Sequence, residues 1–370
     1  MNTQTQPPPL CPALAPDQAE ATLVQIRNAL QARRWEQAQQ LAEAALAAGL
    51  AGPALGEAQL LLAQARWWQG QLERVHRPAL RAAVLAGPPA LRVQALNIAA
   101  LTLSELGLAD EALPLALQSL ELASRPEQHE LLSRTLSCAA HVYARLGDLE
   151  HAEPLHMQAL SLAREVKDPS GLQQAYGNLL LSTAMAHEEL LEQQQPEAAR
   201  AALLRGLHYL SHARSLLQDE RLGEERHSTL RLMLGRLLMY GGRLDEAEPM
   251  LRQGIAEVEA MGGHYYLRGG RLSLAELLRR RGQPEQALPL LPAPGEGDGG
   301  CLQVGELRCR LACHRMLGQR PEAERVEALL SQALARRDAT RLQARRQRLG
   351  QASQFGELDP GAGGGAASMR

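Results

Sequence analysis

Leu149-Glu-His-Ala-Glu-Pro-Leu155 recurs with small changes three more times in this 370-residue chain, as Ala109-Asp-Glu-Ala-Leu-Pro-Leu115, Leu244-Asp-Glu-Ala-Glu-Pro-Met250 and Pro284-Glu-Gln-Ala-Leu-Pro-Leu290. Each copy starts two residues after a glycine, and the alanine inside it follows that glycine by five: Gly107/Ala112, Gly147/Ala152, Gly242/Ala247 and Gly282/Ala287. Gly318/Ala323 and Gly70/Val75 keep the same offset. Seven residues ahead of five of these glycines stands a small residue, Ala63, Ala100, Ala140, Gly235 or Ala275; Leu311 holds the sixth position. A phase kept this strictly marks a repeat architecture.

The spacing has a mechanical reading. A small residue midway along one helix lets a neighbour come close, the glycine ends that helix in a left-handed turn, and the later alanine packs the return helix on the first. Pro196, Pro284 and Pro321, each followed by Glu, stand where a return helix should begin, because a first helical turn tolerates both a missing N–H and an acidic side chain. Pro114, Pro154, Pro249 and Pro289 fall a turn later, where a mild kink is expected rather than a break.

Composition agrees. The chain is 45% hydrophobic but only 3% aromatic, so its apolar content is mainly Leu and Ala, which favour helix over strand. A net charge of −2 offers no global field to recruit nucleic acid or an anionic membrane. No apolar run reaches a bilayer-spanning length, and the first sixteen residues lack the pattern of a secretory signal, so a cytoplasmic protein is expected. Five cysteines (Cys11, Cys138, Cys301, Cys309, Cys313) do not form a disulfide framework.

The repeat resembles the tetratricopeptide family over roughly residues 18 to 335, with Ala82 and Ala159 fitting that family's last small position. Steps of about 36 to 40 residues, against the family's 34, are similar to a longer-helix variant found in bacterial regulatory proteins. The resemblance implies an all-α, right-handed superhelical solenoid of about eight antiparallel helix hairpins. The units run approximately over 18–53, 54–90, 91–128, 129–168, 169–218, 224–262, 264–294 and 301–335. The fifth is irregular, with an insertion expected near Leu190 to Pro196. Residues 1–16 and 351–370 are expected to be disordered, 292–300 a flexible linker, and 336–350 a basic helix or cap.

The resemblance also implies that the first helix of each hairpin lines a concave groove. Carried over residue by residue, the wall holds Gln64, Trp67, Asn97, Ser104, Arg134 and His141, then Arg236, Glu276, Arg279, Arg308 and Arg315. Four arginines against one glutamate make the carboxy-terminal part a candidate for an acidic or carboxylate-bearing segment of a protein or peptide, since guanidinium forks pair bidentately with carboxylates; the alternative is that they pair with neighbouring glutamates. Trp67 is the better groove candidate of the Trp67-Trp68 pair. The family's subclass that clamps chaperone carboxyl termini with Lys and Asn is not matched, because Lys167 is the sole lysine and Asn97 is displaced from the clamp position.

Other chemistries find little support. Cys301, Cys309, Cys313 and His314 could be read as a soft metal site, but buried cysteines more often pack as small apolar groups. His208 and His212 have ligand spacing without the glutamate of a zinc-protease motif. Neither a phosphate loop nor a nucleophile elbow is present, so no cofactor, metal or catalytic residue is assigned and a non-enzymatic scaffold is expected. Ala335 to Leu349 carries six arginines and one aspartate; it reads either as a polar helix capping the array or as an arm for nucleic acid or an acidic partner.

Overall fold

The structure is a computed structural model and describes residues 15–263, 265–293 and 300–354. It holds no strand among these residues. The helices pair in order into eight hairpins: α1 (Pro16–Gln31) with α2 (Trp35–Ala47), α3 (Gly52–Trp68) with α4 (His76–Leu85), α5 (Pro89–Glu105) with α6 (Ala109–Ala123), and α7 (His129–Arg145) with α8 (Leu149–Glu165). The second half continues with α9 (Pro169–Glu192) and α10 (Pro196–His208), a short α11 (Leu210–Ser215), α12 (Glu224–Tyr240) with α13 (Leu244–Ala260), α14 (Tyr265–Arg280) with α15 (Pro284–Ala287), and α16 (Gln303–Met316) with α17 (Arg320–Gln354).

One turn geometry closes every hairpin. Gly70, Gly107, Gly147, Gly242, Gly282 and Gly318 all have positive φ, and so do Arg33 and Gln194. The N–H of the next residue donates to a carbonyl five back, as in Leu108 to Leu103, Asp148 to Tyr143, Gln195 to Leu190 and Arg243 to Leu238. That bond satisfies a carbonyl the helix end would otherwise leave open. Five residues beyond each turn, Ala38, Val75, Ala112, Ala152, Ala199, Ala247, Ala287 and Ala323 are buried. Gly235 is small for a physical reason: a Cβ there would lie 2.7 Å from Leu251 Cγ.

Three expectations need correction. The Leu190–Pro196 stretch is an ordinary hairpin turn rather than an insertion; the fifth unit's extra length lies in the 24-residue α9 and in α10–α11. Pro289 does more than kink its helix, because α15 ends at Ala287 and passes into a 3-10 turn at Leu288–Leu290. The basic segment 336–350 is not a separate helix either, since α17 runs unbroken to Gln354. Residues 1–14, 294–299 and 355–370, on which the disordered termini and most of the linker were placed, lie outside the described residues.

The array coils until its early hairpins meet its late ones. Trp35 stacks on Trp68 at 5.2 Å and donates its indole N–H to Met261 O. Trp67 packs on Tyr265 at 4.3 Å, Trp68 lies 6.0 Å from Tyr266, and Arg33 pairs with Glu224 and Glu225. No helix among the described residues is long and apolar enough to cross a membrane.

Candidate functional site

Closure divides the inner wall into separate spaces. The first is a cleft of about 390 Å³ between the early and late hairpins. Gln64 and Trp67 from α3, His141 from α7, Gln173, Gln174 and Asn178 from α9, Arg226 and Met233 from α12, and Tyr265 and Tyr266 from α14 line it. Trp68 lines it too, even though it also stacks on Trp35. The second cleft, about 470 Å³, brings Arg236, Glu276, Arg279 and Arg308 together with Glu188, Glu192 and Tyr240.

The remaining wall residues from the sequence reading lie elsewhere. Asn97 bridges three helices, donating to Thr135 Oγ1 at 3.0 Å and accepting from Ser119 Oγ at 2.9 Å. Ser104 is buried in a smaller space beside α17, and its hydroxyl has no partner among the described residues. Arg134 pairs with Asp168, the residue that caps α9. Arg315 pairs with Glu327 on the exposed side of the last hairpin.

The arginines of the carboxy-terminal wall are already paired, so the surface is less positive than four arginines and one glutamate imply. Arg236 meets Glu188, Arg279 meets Glu276, and Arg308 meets Glu192. Two of these partners stand at the end of α9, in the unit whose turn residue is Gln194 instead of glycine, so the glycine phase does not reach its wall. The offset from Gln194 to the buried Ala199 was the available signal.

The first cleft behaves differently. Arg226 faces it with a single long hydrogen bond, 3.4 Å to Gln173 Oε1, and no carboxylate among the described residues lies within ion-pairing distance. The two acids whose charge reaches it are committed, Asp168 to Arg134 and Glu225 to Arg33. Burial, then the like charge of Arg134, lower the pKa of the Arg226 guanidinium below its ordinary value. Burial pushes the Tyr266 phenol up to about 12 and raises Tyr265 as well, so neither supplies a negative charge. What results is a cation without a contact ion pair, beside aromatic faces, side-chain amides and the Glu225 carboxylate that Arg33 holds.

Below this cleft lies a buried ionic node. Arg145 Nη2 donates to both Glu105 oxygens at 2.7 and 2.9 Å, His141 Nε2 lies 2.7 Å from Oε1, and Cys301 donates its thiol to Oε2 and its backbone N–H to Glu105 O. Burial alone would raise the Glu105 carboxyl, but Arg145 and then His141 outweigh it and hold the group well below the carboxylate range. The node ties the third and fourth hairpins to the segment before α16. Cys301 thereby stands apart from Cys309 and Cys313, while His314 bonds Gln319. No group of three or more His, Cys, Asp or Glu side chains is placed to hold a metal among the described residues, and burial lifts the Cys138 thiol to about 12.

Residues 91–165, spanning α5 to α8, match the model of the tetratricopeptide repeat family. That stretch carries tetratricopeptide repeats. Among solved structures, a Rap protein complexed with competence and sporulation factor is 15% identical, covering 92% of this chain and 98% of that one at a TM-score of 0.50. The apo form of RapI is 12% identical over 93% and 100%, at 0.43, and BtubC from P. vanneervenii is 16% identical over 66% and 93%, at 0.38. The first of these shows a common fold for the helical array; the other two superpose too loosely to bear on it. No curated protein matches the chain.

Proposed function

We propose that this tetratricopeptide array is a non-catalytic docking scaffold, and that the Trp67–Tyr265 cleft receives an extended segment of a partner protein or peptide through a carboxylate seated on Arg226. The observation that carries the reading is the missing counter-ion of Arg226, in a wall where Arg134, Arg145, Arg236, Arg279 and Arg308 each have one. A part-buried guanidinium without an anion gains most from a ligand that brings one. Trp67 and the two tyrosines offer rigid apolar faces of the kind that anchor partner side chains, and Gln64, Gln174 and Asn178 offer amides to a peptide backbone. The similarly folded Rap protein was crystallised with competence and sporulation factor, so a bound factor is compatible with this architecture. The acidic segment expected from the sequence is retained, with its anchor moved from Arg279, Arg308 and Arg315 to Arg226.

A pool of random hexapeptides, presented once with free carboxyl termini and once amidated but lacking Asp and Glu, provides the test. The wild-type chain should retain members of the first pool and not the second, and Arg226→Gln should lower that retention by about tenfold or more, the loss of one charge-assisted pair. Equal retention of both pools, or retention indifferent to Arg226→Gln, would contradict the reading.

A further inference from the structure

The second half of α17 does something a return helix does not need to do. Up to Ala333 it packs on its own hairpin, with Ala323, Val326 and Leu329 against Val304, Leu307 and Leu311 of α16. Beyond that it continues to the third and fifth hairpins, where Ala344 is buried among Ala100, Leu103, Ala109 and Ala112. Arg337 pairs with Glu192, and Arg341 spans both Glu189 oxygens at 2.8 and 3.0 Å. These two arginines are four residues apart and so share a helix face.

The surface they meet is unusual. The last turns of α9 carry Glu188, Glu189 and Glu192, three carboxylates near a helix C-terminus, where the backbone dipole disfavours negative charge. Arg236 and Arg308 come from the solenoid wall to two of them, whereas among the described residues Glu189 is paired only by α17. The attachment is ionic more than apolar. Of residues 336–346 only Ala344 is fully buried, and Leu342 is half exposed. Contacts of this kind weaken with salt.

We propose that the acidic end of α9 is a docking surface for a helix bearing arginines four residues apart, that residues 336–346 occupy it in cis, and that an arginine-bearing helix of a partner protein binds when this strap lifts. Charge complementarity selects the partner, and the bound strap is its template. The inference is independent of Arg226, which lies in the other cleft.

The probe is a fluorescein-labelled peptide of residues 334–350, titrated by anisotropy against three full-length chains. Arg337→Glu with Arg341→Glu detaches the strap by like-charge repulsion, so this variant should bind the peptide about tenfold or more tighter than the wild type, whose site is occupied. Adding Glu189→Arg and Glu192→Arg should abolish the gain. A double variant that binds no better than wild type would overturn the proposal. Should the variants fail to fold by circular dichroism, amide exchange on the wild-type chain decides: at about 0.5 M salt residues 336–346 should exchange faster while 321–333 do not, and equal protection at both salts sinks the idea. A wild-type dimer dissolved by the peptide would overturn the partner in favour of a second copy's helix.

Discussion

Gln194 shows how far a single backbone conformation carries the fold. It holds the left-handed turn of the fifth hairpin at φ 58°, the place glycine takes in six of the eight, and its side chain is exposed. That conformation costs an L-residue roughly 1–2 kcal/mol, and glycine returns part of the gain as unfolded-chain entropy. Gln194→Gly is therefore expected to raise stability by about 0.5–1 kcal/mol in urea unfolding, whereas Gly242→Ala should lower it by a comparable amount. A loss of stability in Gln194→Gly would mean that this turn is not equivalent to the others. The sequence pattern exposed the six glycine turns and left this one and Arg33 unread, because the motif records the residue that suits a backbone angle and not the angle itself.

Between elements, polar contacts stitch one hairpin to the next. His156 on α8 is buried, with Nε2 2.9 Å from Ser182 Oγ on α9 and Nδ1 unpartnered among the described residues. Burial, then the nearby His141, depress its pKa to about 3. The folded chain therefore keeps it neutral while the unfolded chain protonates it near 6.5. Stability from this group is complete above that value and falls as pH drops below it, by up to about 1.4 kcal/mol per pH unit. In His156→Gln, which keeps a hydrogen-bonding group and removes the titration, the unfolding midpoint should decline less steeply between pH 6.5 and 5; an unchanged slope would contradict this. At this scale the helices, their order and the hairpin pairing were legible from the glycine-to-alanine phase. The inner wall was legible only where that phase was unbroken. The wall face of α9 was therefore missed, and with it Gln173, Asn178 and the three glutamates, of which Glu188 and Glu192 pair with wall arginines and Glu189 and Glu192 hold α17. Such pairings join residues some 50 to 150 positions apart, a separation no local pattern encodes.

For the molecule as a whole, stacking hairpins with a small rotation at each step produces a superhelix, and its pitch decides whether the inner face is an open groove or a closed cleft. Here the early and late hairpins touch through Trp35, Trp67 and Trp68 on one side and Met261, Tyr265 and Tyr266 on the other, while Glu105, Arg145 and Cys301 form a second tie. Removing an ion pair from water is costly, so a node this dry persists only when each charge is well matched. Two of the chain's three tryptophans form the floor of the docking cleft, and they acquire that role only because the array closes. A double-mutant cycle of Trp67→Leu and Tyr265→Leu, read by urea unfolding, measures that closure directly. A closed superhelix predicts a coupling of about 0.5–1.5 kcal/mol across 198 residues of chain; a coupling indistinguishable from zero would mean that the two rings do not meet and that the cleft does not exist.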